Sequence, residues 1–414
     1  MVLLKHQPYS SLNDEQKKLK REHWLSMMLC TCIAFSVVQS TICGLIRLVI
    51  PNTLKIDTVV FYALYAWILI SSSKYFFKKI RVFDLMAIIV SSILLLISTI
   101  LFNDSSALSE IMIPFLIYCI PAYLLAVNIK MNATLKRYLH ITGYVMLICG
   151  TISMFVLNTY STTAETHSLL GGYTLATATT IIIAFSTSKI EYVIAALGAL
   201  LVLSNGSRGP LLTLLLFIVI YIIIFIPKNA KMILYIIAVF GAVVIIMAFY
   251  EEILMNLIRL VDSWGFSTRV LTSLLSSNIA NDDNRQILQM FASEYMKEHW
   301  FWGSGVLLDR AIIYQRFGRM FADAGIWGAY IHNIFYEWMI QFGTLFGGVL
   351  SIATIIRSIQ ALIHEKSRDE KLLFLCIASV GLFPLFVSFS YLTYTSFYLF
   401  LGMICRSTLR EKIR

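Results

Sequence analysis

The sequence predicts an all-α polytopic membrane protein, with about 12 transmembrane helices and one large helical loop outside the bilayer. Hydrophobic residues make up 58% of the 414 residues and charged residues only 14%, against about 25% in soluble domains. The mean hydropathy is +0.78. Apolar runs of membrane-spanning length recur along the chain, and one long polar connection separates them. A bundle of membrane helices accounts for all three observations.

The candidate spans follow from the apolar runs, because a helix of about 20 apolar residues crosses the hydrocarbon core of a bilayer. Twelve such runs divide the chain into three parts. Residues 1–250 hold helices one to nine, residues 251–332 form the large loop, and residues 333–414 hold helices ten to twelve. The predicted spans are 24–50, 57–73, 83–102, 110–127, 139–158, 171–187, 190–204, 209–226, 231–250, 333–362, 371–389 and 392–406.

Alternate connections between these spans differ in their content of lysine and arginine. One set, which includes both termini, carries a basic residue in every member, whereas the short members of the other set carry only Lys55 and Arg208. Cytoplasmic loops are enriched in basic residues, so both termini are predicted to face the cytoplasm, as an even number of spans requires. By the same count, residues 251–332 lie on the outer side.

Arg208, in "SNGSRGPLL", lies on the outer side against this charge bias. Pro210 falls in the first turn of the predicted helix, where its missing N–H costs nothing. The unpaired N–H groups and the positive dipole end of that helix point outward and favour an anion. The planar guanidinium of Arg208 would add a fork of donors to this site. The alternative is an arginine whose side chain only reaches the membrane interface.

The outer loop carries six arginines and a single lysine, Lys297. Arginine is the better bidentate partner for phosphate groups, so this composition indicates binding of a phosphorylated ligand. The arginines are Arg259, Arg269, Arg285, Arg310, Arg316 and Arg319.

One of these arginines, Arg285, lies in the first turn of a predicted amphipathic helix, "NDDNRQILQMFASEYMKEHW". Asp282 or Asp283 is expected to cap this helix. Its apolar face is predicted to hold Ile287, Met290, Phe291 and Tyr295. A cation in a first turn opposes the helix dipole, so Arg285 either pairs with one of the two aspartates or is directed at an anion.

His332 and Asn333 lie where the chain is predicted to return to the membrane, and Glu337 follows about one and a half turns later. A histidine with a pKa near ~6.5 can take a proton from a hydroxyl group at neutral pH or hold that hydroxyl in place. The alternative is a histidine used only in packing.

Other features exclude several classes of function. The net charge of +10 follows the membrane topology, so no nucleic-acid partner is predicted. All seven cysteines lie in apolar runs, without the spacing of a zinc site or a disulfide framework. We predict no metal and no cofactor. The charged residues within the spans, such as Arg47, Glu337 and Arg357, lie near the span ends, which argues against an ion-coupled transporter.

The motifs together resemble the superfamily of O-antigen ligases and polymerases, which are integral-membrane glycosyltransferases. "GSRGPLL" opens a helix on the outer side, a large loop then carries "NR" and "WGSG", and "HN" precedes Gly343 by nine intervening residues. "HNIFYEWMIQFG" is similar to the polymerase pattern, with an acidic residue shortly after the histidine. Phe346 stands where one ligase pattern has a small residue or tyrosine.

This resemblance implies an enzyme of the bacterial inner membrane whose active face is periplasmic. It would join repeat units carried on undecaprenyl pyrophosphate and release the lipid pyrophosphate. His332, Arg208 and Arg285 are expected to be catalytic. Substrate contacts are expected from Arg208, Arg285, Asn333, Arg310, Glu337 and Arg269. The implied partners are undecaprenyl-pyrophosphate-linked glycans, membrane lipids and a chain-length regulator protein.

Two other functions remain open at this point. A ligase would transfer the polysaccharide to lipid A–core instead of to another repeat unit. A flippase for lipid-linked sugars would perform no chemistry, but it is expected to show a polar path through the membrane. Here the cations gather on one face.

Overall fold

The computed structural model describes residues 13–50, 56–77, 80–102, 106–157, 164–205, 208–225, 250–263, 268, 272, 283–321, 325–365 and 367–410. Every regular element in these ranges is helical, which confirms the all-α prediction. Six helices are long and apolar enough to cross a membrane, so the chain is a multi-pass membrane protein. Three further apolar helices are shorter, so the described ranges do not reach the predicted twelve spans.

The first five helices each overlap a predicted span, and the fifth begins and ends earlier than predicted. The first helix starts ahead of its apolar run because Asn13 and Gln16 form a capping box, each side chain accepting a hydrogen bond from the backbone N–H of the other. The fourth helix includes two π-helical turns. These helices are α1 (Asp14–Val49), α2 (Ile56–Phe76), α3 (Val82–Phe102), α4 (Leu108–Asn128) and α5 (Ala133–Ile152).

Helix α6 (Ala164–Phe185) contacts α5 and the two helices that follow it, α7 (Lys189–Ser204) and α8 (Arg208–Phe225). The "SRG" motif thus lies at the start of α8, as predicted. The predicted span 231–250 lies outside the described residues. Because α6 is at the centre of this group, side chains near its outer end reach the start of α8.

The large loop contains the helices α9 (Tyr250–Ser263), α10 (Asp283–Glu298) and α11 (Leu308–Phe317). Helix α10 is the predicted amphipathic helix. Its buried face holds Leu288, Phe291 and Ala292, whereas Ile287 and Met290 are 36% and 61% exposed, so the predicted face was partly wrong. The apolar residues of α10 allow two neighbouring stripes, and packing selects the one that starts at Leu288.

The predicted span 333–362 is wrong as a single helix. The chain breaks at Gly343 into the short helix α12 (Ile334–Phe342) and the long helix α13 (Thr344–His364). Gly343 has a φ of 88°, and a β-carbon there would lie 2.5 Å from the carbonyl oxygen of Phe301. Backbone conformation and close packing therefore both require glycine at the break.

The last two helices, α14 (Arg368–Gly381) and α15 (Thr395–Arg410), are shorter than or shifted from the predicted spans 371–389 and 392–406. Helix α14 has 14 residues, about 21 Å, whereas the hydrocarbon core is about 30 Å thick. The chain then makes one 3₁₀ turn, Phe383–Phe386, and continues without regular structure to Thr395. We name the last part of this stretch the 386–394 segment. Irregular backbone at membrane depth must be paired within the protein.

Buried Arg406 connects one end of each of the last three helices, namely the C-terminal ends of α13 and α15 and the N-terminal end of α14. Its guanidinium donates hydrogen bonds to Glu365 at 2.8 Å and Glu370 at 2.5 Å, and to the carbonyl of Ile129. Buried arginine is stable only when it is paired in this way. The pairing holds α14 and α15 in place, and with them the 386–394 segment.

Candidate active site

His332 lies in the turn that leads into α12. Its Nδ1 is 3.0 Å from the carbonyl oxygen of Ser388, in the 386–394 segment. A carbonyl only accepts hydrogen bonds, so Nδ1 carries the proton, and Nε2 is the acceptor nitrogen of the neutral ring. The φ of His332 is 48°, a left-handed conformation that costs roughly 1–3 kcal/mol in residues with a β-carbon. The fold therefore holds this ring in one orientation and one tautomer.

Asn333 ties the start of α12 to the same segment. Its side-chain oxygen accepts hydrogen bonds from the backbone N–H groups of Phe335 at 3.0 Å and Tyr336 at 3.2 Å, which caps the helix. Its Nδ2 donates to the carbonyl of Phe386 at 3.0 Å. In this arrangement the amide of Asn333 supports the position of His332.

A buried bridge of three side chains lies beneath this turn. Arg310 is 2% exposed and Glu337 is 0% exposed. The guanidinium Nη2 of Arg310 donates to the Ser390 hydroxyl at 2.7 Å, and that hydroxyl donates to Oε1 of Glu337 at 2.5 Å. The direct distance from Nη2 to Oε1 is 3.8 Å. Arg310 and Glu337, predicted to contact substrate, are enclosed here and bonded through Ser390.

The bridge continues into a larger polar cluster with Asp309 and Gln341. Both carboxyl oxygens of Asp309 are buried without a hydrogen-bond partner among the described residues, although Gln341 lies close to them. Burial raises the pKa of both Asp309 and Glu337, and the charge of Arg310 opposes the shift. One guanidinium and two carboxyls form a neutral buried cluster when one carboxyl keeps its proton.

Tyr330 connects this cluster to the histidine. Its ring centroid is 5.0 Å from the guanidinium carbon of Arg310 and 4.3 Å from the ring centroid of His332. Burial raises the pKa of Tyr330 to about 12, so its hydroxyl stays neutral at physiological pH. Half-buried Arg285 interacts electrostatically with Tyr330 and with Tyr173 of α6. Arg285 thus lies on the same side of the fold as His332.

Tyr173 brings the "SRG" motif to the same place. A β-carbon at Gly209 would lie 2.2 Å from the Tyr173 hydroxyl, so only glycine allows this contact. The Tyr173 ring packs against Phe389, with centroids 4.8 Å apart. The backbone at the start of α8 therefore lies beside the 386–394 segment, and Arg285 acts electrostatically on the tyrosine that contacts both. The side chain of Arg208 lies outside the described residues, as does all of Arg269.

The "WGSG" motif stabilises the end of α12. The backbone N–H groups of Ser304 and Gly305 donate to the carbonyls of Ile340 at 2.8 Å and Gln341 at 2.9 Å. A β-carbon at Gly303 would lie 2.2 Å from the carbonyl oxygen of Ile340. These glycines allow the motif to pack closely against the end of α12, so that its backbone N–H groups can donate hydrogen bonds to the last carbonyls of that helix. The motif therefore supports His332 from the far end of α12.

The structure thus brings together three of the predicted site residues, His332, Asn333 and Arg285. Other residues of this neighbourhood were not predicted: Tyr173, Tyr330, Ser388 and Ser390. Tyr173 and Tyr330 could have been proposed as site residues from the sequence, because each places a hydroxyl group beside the predicted outer end of a helix. Ser388 contributes through its backbone carbonyl, which leaves no signal in the sequence. Within the described ranges, no three of His, Cys, Asp or Glu converge on one point.

Comparison with known protein families gives a match over residues 193–352 to the family described as O-antigen ligase. The matched range runs from α7 to α13 and includes the large loop and His332. The resemblance predicted from the motifs is thereby confirmed. The 386–394 segment and Tyr173 lie beyond the matched range. No curated protein matches the chain.

Proposed function

Residues 193–352 match the family described as O-antigen ligase, and from that premise we propose that the protein is an O-antigen polymerase. It joins oligosaccharide repeat units carried on undecaprenyl pyrophosphate at the periplasmic face of the inner membrane. The observation that carries this proposal is the orientation of His332. Its Nδ1 is bonded to the Ser388 carbonyl, which leaves Nε2 as the nitrogen that can accept a proton, and Arg285 acts electrostatically on the neighbouring Tyr330.

The donor in this reaction is a glycan on undecaprenyl pyrophosphate. Arg285 and Arg208, with the N-terminus of α8, bind the pyrophosphate. As the bond between the anomeric carbon and the pyrophosphate oxygen breaks, negative charge grows on the leaving group. Arginines already in place stabilise that charge without reorganising. Their planar forks match phosphate oxygens in pairs, which lysine does not.

The acceptor is the terminal hydroxyl of a second lipid-linked unit. Its proton passes to Nε2 of His332 while its oxygen bonds to the anomeric carbon. The electron pair of the broken bond leaves with undecaprenyl pyrophosphate. The imidazolium that forms is stabilised through its Nδ1–H bond to the Ser388 carbonyl. Arg310 and Glu337 act indirectly in this scheme, because both are buried and hold the 386–394 segment.

A ligase is the second candidate, because the matching family is described as O-antigen ligase. In a ligase the attacking hydroxyl belongs to lipid A–core, and the same His332 and arginine roles apply. The acidic residue after the histidine, as in the polymerase pattern, favours the polymerase.

The deciding experiment incubates purified protein with lipid-linked repeat units. A ladder of longer chains from these units alone is expected for a polymerase. Product that appears only after lipid A–core is added would identify a ligase. No product under either condition would contradict both proposals. Arg285→Lys should lose most transfer despite keeping its charge, whereas Lys297→Ala, at the far end of the same helix, should stay near wild type.

The membrane orientation has its own test. Ser276, in the large loop, and Ser367, before α14, are each replaced by cysteine in separate variants. Cells with a permeabilised outer membrane are then treated with an impermeant thiol reagent. Labelling at Ser276 with protection at Ser367 is expected. The reverse pattern would place the large loop in the cytoplasm and overturn the proposed periplasmic site.

A further inference from the structure

A cavity of about 340 Å³ lies inside the helix bundle, next to the candidate active site. Its walls come from α1, α2, α4, α5 and α6, and from the chain around the 386–394 segment. That volume lies within the range of about 300–1,000 Å³ that is usual for small-molecule sites. The cavity is therefore large enough for part of a ligand.

The cavity meets the candidate active site at Tyr173. This side chain is 5% exposed, and its hydroxyl has no hydrogen-bond partner among the described residues. The Ser388 side chain lies close to the hydroxyl without the geometry of a hydrogen bond. Leaving a buried hydroxyl unpaired costs roughly 1–3 kcal/mol, so the site favours a ligand group that pairs with it. Arg285 acts on the same hydroxyl from the active-site side.

The lining of the cavity differs from the rest of the bundle. Among the described lining residues, tyrosine rings and hydroxyl groups predominate, and none carries a charge. A prenyl chain would leave the buried Tyr173 hydroxyl without a partner, whereas the lipid-facing sides of α3 and α13 show the leucines and isoleucines that suit such a chain. Sugars stack their C–H faces on aromatic rings and hydrogen-bond to hydroxyls. The lining thus fits an uncharged sugar.

We propose that this cavity binds the uncharged sugar ring next to the pyrophosphate of the lipid-linked substrate, with the Tyr173 hydroxyl hydrogen-bonded to that sugar. The inference rests on the proposed function, since it takes a pyrophosphate-linked glycan as the ligand. It adds a specificity for the kind of sugar. An acidic sugar at that position is disfavoured, because none of the residues that line the cavity carries a charge to pair with its carboxylate.

The test measures binding to the full-length protein in nanodiscs by native mass spectrometry. Three probes are used: undecaprenyl pyrophosphate carrying one hexose, the same lipid carrying one hexuronate, and the lipid without sugar. The wild-type protein should bind the hexose probe at least about tenfold more tightly than the hexuronate probe. Tyr173→Phe should weaken binding of the hexose probe by about 2- to 10-fold, the factor for the loss of one hydrogen bond, and leave binding of the sugar-free lipid unchanged.

Thr177→Val tests the cavity independently, one helical turn below Tyr173, in case the first variant folds poorly. Thr180→Val is the matched control, because Thr180 is a buried threonine of the same helix that does not line the cavity. If the cavity variants weaken binding of the sugar-free lipid as much as they weaken binding of the hexose probe, the cavity holds the prenyl chain and the proposal is overturned. Unchanged hexose binding in both cavity variants would also overturn it. Selective binding without chain extension would refute the transferase proposal instead.

Discussion

Ser390→Ala should release the 386–394 segment from the buried cluster beneath it. The Ser390 hydroxyl accepts a hydrogen bond from Arg310 at 2.7 Å and donates one to Glu337 at 2.5 Å. The substitution removes both bonds and leaves two buried charge-bearing groups without their common partner. Ser388, whose carbonyl orients His332, is two residues away in the same segment.

The expected loss of stability follows from these two bonds. A hydrogen bond to a charged group contributes roughly 1.5–3 kcal/mol, so two bonds give about 3–6 kcal/mol if nothing relaxes. Arg310 and Glu337 are already 3.8 Å apart, and a small movement would bring them into direct contact. Recovery of about half of the loss leaves roughly 1.5–3 kcal/mol.

The assay follows thermal unfolding of the purified full-length protein in detergent, together with its transfer rate. Ser379→Ala is the control, because Ser379 is buried on α14 but donates only to the Cys376 carbonyl of its own helix. Ser390→Ala should lower the unfolding midpoint and the transfer rate, and Ser379→Ala should change both little. Equal midpoints for the two variants would refute the reasoning, because the bridge would then contribute no stability.

Three further predictions test other parts of the site. His332→Ala should insert normally and lose about 10²–10⁴-fold in transfer rate per molecule, whereas His299→Ala should be mild; a fully active His332→Ala would remove the proposed base. Glu337→Gln should flatten the dependence of the unfolding midpoint on pH. Burial raises the pKa of the Glu337 carboxyl in the folded protein. The proton on this carboxyl therefore stabilises the fold fully at pH values below 4.5, its ordinary pKa, and this stabilisation is lost as the pH rises through the raised pKa of the folded state. Identical slopes in the two proteins would contradict that shift. Gly209→Ala should cost about 1–3 kcal/mol in the same unfolding assay, because its β-carbon would lie 2.2 Å from a tyrosine hydroxyl. Gly318→Ala, whose nearest neighbour is 3.8 Å away, should be close to neutral, and equal effects would show that the contact at Gly209 relaxes easily.

Much of the fold could be predicted because apolar runs of spanning length determine where membrane helices form. Helices α1 to α5 and α8 match their predicted runs. The prediction failed where tertiary contacts outweigh hydropathy. Residues 333–362 are apolar enough to predict one continuous span, and the break at Gly343 depends on the approach of the Phe301 carbonyl from the large loop. Hydropathy carries no information about such an approach.

The site could be predicted in part for a related reason. His332 stood out because polar residues at a membrane boundary are unusual and need an explanation, and Arg285 because a cation in a first turn opposes the helix dipole. Arg310 and Glu337 were also predicted to contact substrate, but the structure pairs them with each other through Ser390. Whether a charged side chain faces a ligand or another side chain depends on contacts between distant parts of the chain.

The 386–394 segment has a consequence for how the protein is made. The ribosome synthesises this segment after His332 and the large loop, yet it provides the carbonyl that selects the His332 tautomer. While α14 and α15 are still being inserted, the Ser388 carbonyl is not yet in place to orient the histidine. Under the proposed mechanism, the nascent protein lacks an oriented base at that stage. Catalytic competence would then arrive in one step, when α15 enters the membrane and Arg406 pairs with Glu365 and Glu370.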